Sequence, residues 1–99
     1  MMEIDVLFEE INALATSVPC EDESLWRFVE YGSKSCGGPI GYIAYSTQIN
    51  TAQFLSLIER HQRKQQAFNV KWNVTSDCKL ELPPSSITCS DGKPVLEYN

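Results

Sequence analysis

The reading of this chain turns on INTAQFLSLIERHQRKQQAFNVKW, residues 49–72. Asn50 stands where an N-cap is needed, because its side-chain oxygen can take a backbone N–H that the first helical turn leaves without a partner. Gln53, three residues on, completes a capping box, and Ile49 with Phe54 forms a hydrophobic staple across the cap. Phe54, Leu57, Ile58, His61, Gln65, Phe68 and Trp72 then fall within about 100° of one another at 3.6 residues per turn. Arg60, Arg63, Lys64 and Lys71 occupy the other side. The spacing predicts a helix over about 51–70 with one apolar stripe to bury.

Working outward, Ile40-Gly41-Tyr42-Ile43-Ala44-Tyr45 precedes that helix and predicts a strand over about 40–46. Trp26, Phe28 and Glu30 alternate with Arg27, Val29 and Tyr31, a half-buried pattern that predicts a strand over about 25–31. Between the two, Gly32 to Gly38 is a run of small and turn-forming residues. Nearer the start, Ile4, Leu7, Phe8, Ile11 and Leu14 lie on one helical stripe, acids crowd the first turns, and Pro19 forbids continuation. A helix over about 3–16 is expected. Downstream, Cys78-Lys79-Leu80-Glu81-Leu82 alternates as a short strand over about 78–82 that Pro83-Pro84 stops. Strands over about 86–90 and 93–98 flank Asp91-Gly92, a two-residue hairpin signal. The order predicts a single α+β domain over residues 1–99, a small antiparallel sheet packed by two helices. Phe54, Ile58, Phe68 and Trp72 are expected to pack with Trp26, Phe28, Leu7 and Ile11. Tyr42 and Tyr45, three apart on one strand, belong on opposite faces.

Cys20, Cys36, Cys78 and Cys89 are separated by 16, 42 and 11 positions. Zinc sites use closely paired ligands, and the chain holds only 1 histidine, so no metal site is expected. A C-x-x-C redox motif is absent as well. Two disulfides in an oxidising compartment fit better than free buried thiols. Cys36 follows the first strand and Cys78 the long helix, while the other two bracket the domain. That placement favours Cys36–Cys78 with Cys20–Cys89 among the three possible connectivities.

Residues 1–30 carry eight acids against Arg27, a local net of −7, and the whole chain carries −5. That balance disfavours nucleic acid as a partner and reads as a solvated acidic face. No apolar run approaches the roughly 20 residues of a membrane-spanning helix. Met1-Met2-Glu3-Ile4-Asp5 lacks the basic and apolar regions of an export signal. An expressed mature protein with its signal removed is one explanation, and a cytosolic protein is the other.

Ser33-Lys34-Ser35-Cys36-Gly37-Gly38-Pro39 is the one segment that looks like a functional loop. Gly37 and Gly38 expose backbone donors, Pro39 and a bridged Cys36 limit motion, and Lys34 is the charge that could steer an acidic partner. Tyr42, on the neighbouring strand, adds an amphipathic side chain suited to a binding surface. A thiol enzyme would need Cys36 as nucleophile and His61 as base, and a disulfide at Cys36 removes that option. Asn73-Val74-Thr75 fits a glycosylation acceptor, meaningful only in a eukaryotic secretory pathway. No cofactor is implied.

The series Trp26-Arg27-Phe28, Gly32 through Ser46, Ser76-Asp77-Cys78, Pro83-Pro84 and Gly92-Lys93-Pro94-Val95 resembles a group of small uncharacterised exported bacterial proteins, many of them lipoproteins. The likeness covers about residues 20–98. It implies a periplasmic, cell-envelope or secreted location and carries over no catalytic residue. The expected function is a non-enzymatic, disulfide-stapled domain that binds or inhibits a protein or envelope ligand. A small hydrolase or thiol enzyme using Cys36, and a structural module of an envelope assembly, are the alternatives.

Overall fold

A computed structural model describes residues 3–98, so Met1, Met2 and Asn99 of the expected domain lie outside the described residues. Helix α1 runs over Glu3–Ala15 and buries Leu7, Ile11 and Ala15, one residue per turn on a single face. It ends where the Thr16 and Ser17 hydroxyls donate back to the carbonyls of Asn12 and Leu14. A 3₁₀ turn at Glu23–Leu25 leads into β1 (Trp26–Tyr31), which pairs antiparallel with β2 (Gly41–Ser46).

Helix α2 spans Thr51–Lys71. The Gln53 amide donates to Asn50 Oδ1 at 3.1 Å, as the cap requires, while Ile49 and Phe54 join one core. The far end closes with Asn73 at φ 50°, its N–H on the Val70 carbonyl and the Val74 N–H on the Asn69 carbonyl. This is the Schellman arrangement, with asparagine taking the left-handed position. Beyond it, β3 (Ser86–Ser90) and β4 (Lys93–Glu97) form a second hairpin whose turn residues Asp91 and Gly92 have φ 51° and 75°. Two positive φ values suit the type I′ turn that the right-handed strand twist favours.

The α+β class holds, with a difference in layering. Among the described residues, four strands make two two-stranded sheets. In the β1–β2 register, Val29 lies opposite Ile43, and Phe28 opposite Ala44. Directly opposed residues share a face. Val29, Tyr31, Ile43 and Tyr45 therefore meet the helices and pack on Leu7, Ile11, Phe54, Leu57 and Ile58. The opposite face carries Trp26 and Ala44 against Cys20, Cys89, Ile87 and Leu96. The β1–β2 hairpin is thus the middle layer between the helices and the second hairpin, and each side has its own core.

Several expectations need correction. Residues 78–82 form no strand: the carbonyls of Lys79 and Glu81 accept from the side chains of Lys34 and Tyr42 instead of from a ladder. Trp26 joins the second core rather than the helix face, because both faces of β1 are covered. Phe28 is exposed and meets Tyr42 edge-on at 6.0 Å between ring centres. Trp72 is 62% exposed, since it is the C-cap of α2 and the apolar stripe outruns the sheet it covers. Tyr42 and Tyr45 do lie on opposite faces, Tyr45 stacking on Phe54 at 4.8 Å.

Candidate functional site

Both disulfides have the pairing that placement favoured, Cys20–Cys89 and Cys36–Cys78. The second one joins the loop between β1 and β2 to the long connection between α2 and β3, and the two segments together build the most distinctive site on the molecule.

The first segment is a rigid buttress. Gly32, at φ 75°, leaves no room for a larger residue: a Cβ there would sit 2.6 Å from Ile40 Cδ1. The Lys34 amide donates to the Gly38 carbonyl at 3.0 Å and the Gly37 amide to the Lys34 carbonyl at 2.9 Å, so Gly37 and Gly38 make a tight turn at the tip. From α2, Asn69 Nδ2 donates to the Ser33 carbonyl at 2.8 Å and is itself held by Gln65. The Ser35 hydroxyl donates to the Val74 carbonyl.

The second segment, from Cys78 to Pro84, lies along this buttress. Lys34 Nζ donates to Asp77 Oδ1 at 2.7 Å, to the Lys79 carbonyl at 3.0 Å and to Glu81 Oε1 at 3.1 Å. Three acceptors satisfy all three ammonium protons. Its side chain is only 9% exposed. The same contacts hold the Asp77 carboxyl below the usual carboxylate range, with the Lys34 hydrogen bond the main cause, and raise the Lys34 ammonium in return. The Tyr42 hydroxyl donates to the Glu81 carbonyl at 3.3 Å. Past the buried Pro84, the Ser85 amide donates to the Glu97 carbonyl at 2.7 Å.

Because the carbonyls of residues 79 and 81 both turn inward, the chain has the period of two of an extended backbone. The side chains of Leu80 and Leu82, at alternate positions along it, are 70% and 66% exposed. Within the described residues, no backbone group of either leucine has a hydrogen-bond partner.

The residues singled out from sequence are thus brought together in part. Lys34 and Tyr42 converge on Glu81 from beneath, as supports rather than as free contacts for a ligand. Gly37 and Gly38 stand at an exposed turn, and Pro39 is half-buried behind it. Leu80 and Leu82 were not singled out, because their alternation was read only as a short strand. Two leucines at i and i+2 between a cysteine and a proline pair were the available signal. The sulfur of Cys36 is bonded to Cys78, which removes the thiolate a cysteine enzyme would need. His61 is buried between Phe8 and Tyr31, and burial lowers the pKa of its imidazole.

A cleft of about 830 Å³ lies elsewhere, between the end of α1, β2 and the tip of the second hairpin. Asp91 and Lys93 are its only charged walls among the described residues. Among the described residues, no three His, Cys, Asp or Glu side chains gather as a metal-ligand set, and no helix is long and apolar enough to cross a membrane. Two disulfides point to an oxidising compartment. No family model, curated protein or solved structure matches the chain.

Proposed function

We propose that this chain is an exported, non-enzymatic domain that binds a protein partner through the segment from Cys78 to Pro84. The observation that carries the reading is a pair of outward leucines on a backbone tied down at Cys78, Lys79, Glu81 and Ser85. Exposed leucine costs the free protein solubility, and burying one against a partner contributes about 1.5–3 kcal/mol. A segment already held in one conformation loses little entropy on docking, so more of that burial appears as affinity. The disulfides, which suit an oxidising compartment, support a periplasmic, envelope or secreted setting.

The test is capture of partners from envelope and secreted fractions with the oxidised protein, followed by rebinding of the purified partner. Leu80→Asp with Leu82→Asp should abolish rebinding while leaving the melting temperature unchanged. A partner that rebinds equally well to the double variant would place the function on another surface, such as the Arg60, Arg63 and Lys64 side of α2.

A further inference from the structure

We infer that the Cys78–Pro84 segment docks as a substrate mimic in the cleft of an endopeptidase, with Leu80 filling an apolar primary pocket. This deepens the binding reading above and rests on it. Endopeptidases take their substrates as extended chain, pairing main-chain N–H and C=O groups as an added strand does and reading alternate side chains in pockets. The segment offers both parts. The backbone groups of Leu80 and Leu82 are unpaired within the described residues, and their side chains, at the alternate positions that share one face of an extended chain, are both exposed. Lys79 and Glu81 spend their carbonyls on the scaffold.

Position along the segment selects Leu80 over its neighbours. The bond after Leu82 leads into Pro83, which has no N–H and a fixed ring, a poor fit to a cleft shaped for an ordinary amide. The bond after Lys79 has its carbonyl turned inward onto Lys34. Only the Leu80–Glu81 bond pairs an outward side chain with a free carbonyl and an ordinary amide on its far side. Leu82 then falls two residues downstream, on the same side, where a second pocket would receive it.

The clamps explain why such docking would inhibit rather than feed the enzyme. Were water to hydrolyse Leu80–Glu81, giving a carboxylate on Leu80 and an amine on Glu81, neither new end would leave. Cys78 stays bonded to Cys36, Lys34 grips the Lys79 carbonyl on one side and the Glu81 carboxylate on the other, and Tyr42 holds the Glu81 carbonyl.

The oxidised protein should be titrated against chymotrypsin, subtilisin and elastase, with trypsin as the enzyme of opposite preference. Inhibition of at least one of the first three, with a constant below roughly 1 µM, is expected. Leu80→Asp should weaken it by about 100-fold or more, as for a central contact residue. Leu80→Lys should transfer inhibition to trypsin. No inhibition of the three apolar-pocket enzymes at 10-fold excess over that constant overturns the inference, as does inhibition that Leu80→Asp leaves intact or rapid release of two fragments. If Leu80 governs capture of a partner while every enzyme stays active, the endopeptidase assignment falls and the binding reading stands. If capture survives Leu80→Asp combined with Leu82→Asp, both fall.

Discussion

Lys34 illustrates how one side chain can organise a surface it does not itself present. Its ammonium joins Asp77, Glu81 and the Lys79 carbonyl, so the charge that sequence marks as a steering group is consumed inside. Lys34→Met keeps the stem and removes the cation, leaving Asp77 and Glu81 without their shared partner. Exchange of the Lys79 amide, which donates to Asp77 Oδ1 at 3.2 Å, should quicken by about tenfold or more, while α2 keeps its protection. Unchanged exchange at Lys79 would show that the disulfide alone holds the segment. Asp77, whose carboxyl is held low by the same contact, keeps its contribution above about pH 4 and loses it as acid protonates it.

His61 also loses stability in acid, but because the fold favours its neutral form rather than its charged one. Burial lowers its pKa in the folded protein, with Asp5 opposing weakly. The unfolded chain therefore binds the extra proton first as pH falls below about 6.5, and stability that is complete above that value declines below it. His61→Gln should flatten the fall in melting temperature between pH 7 and pH 5. An identical slope in both proteins would assign the effect to carboxylates.

At the scale of elements, α2 tests the two-sided reading of its sequence. Phe54, fully buried against Tyr45, should cost about 3–5 kcal/mol when cut to alanine, through lost burial and the cavity left. Arg63 pairs with Glu59 on the solvent side, so Arg63→Ala should stay within about 0.5 kcal/mol. Urea midpoints of the two variants make the comparison, and equal midpoints would refute the assigned orientation. This helix was legible because cap, staple and stripe are local features written within a few residues of one another. So was the Asp91-Gly92 turn, where a short backbone demand selects residue type. Residues 78–82 were not: alternation identifies extended chain, but whether that chain finds a ladder partner depends on a distant lysine and tyrosine. Trp26 was misassigned for a related reason. Its strand shows which residues share a face, while only the assembled layers reveal that both faces are covered. The pairing of the cysteines was readable from their placement along the order of elements, whereas the leucine site was hidden by the same alternation that suggested a strand.

The whole molecule is three layers joined by a shared middle. Since β1 and β2 contribute to both cores, a substitution in either one loosens the other, and thermal unfolding should follow a single transition. Each disulfide closes a long loop, with separations of 69 and 42 residues. Chain-entropy reasoning assigns each about 4 kcal/mol. Alkylation of the native protein without reductant should modify no cysteine, as none is free. Replacing Cys20 and Cys89 together by serine should lower stability more than replacing Cys36 and Cys78, because Cys20 is 2% exposed and sits in the second core.

That difference in depth sets an order of events under reducing conditions. Cys36 and Cys78 are both exposed, so a small thiol reaches their bond well before the sheltered Cys20–Cys89 bond. Mild reductant would then slacken the leucine segment while the two cores remain assembled. The protein would lose its grip on a partner at a reductant concentration that leaves its near-ultraviolet circular dichroism intact, making the redox state of the surroundings a fuse for binding separate from the one for folding.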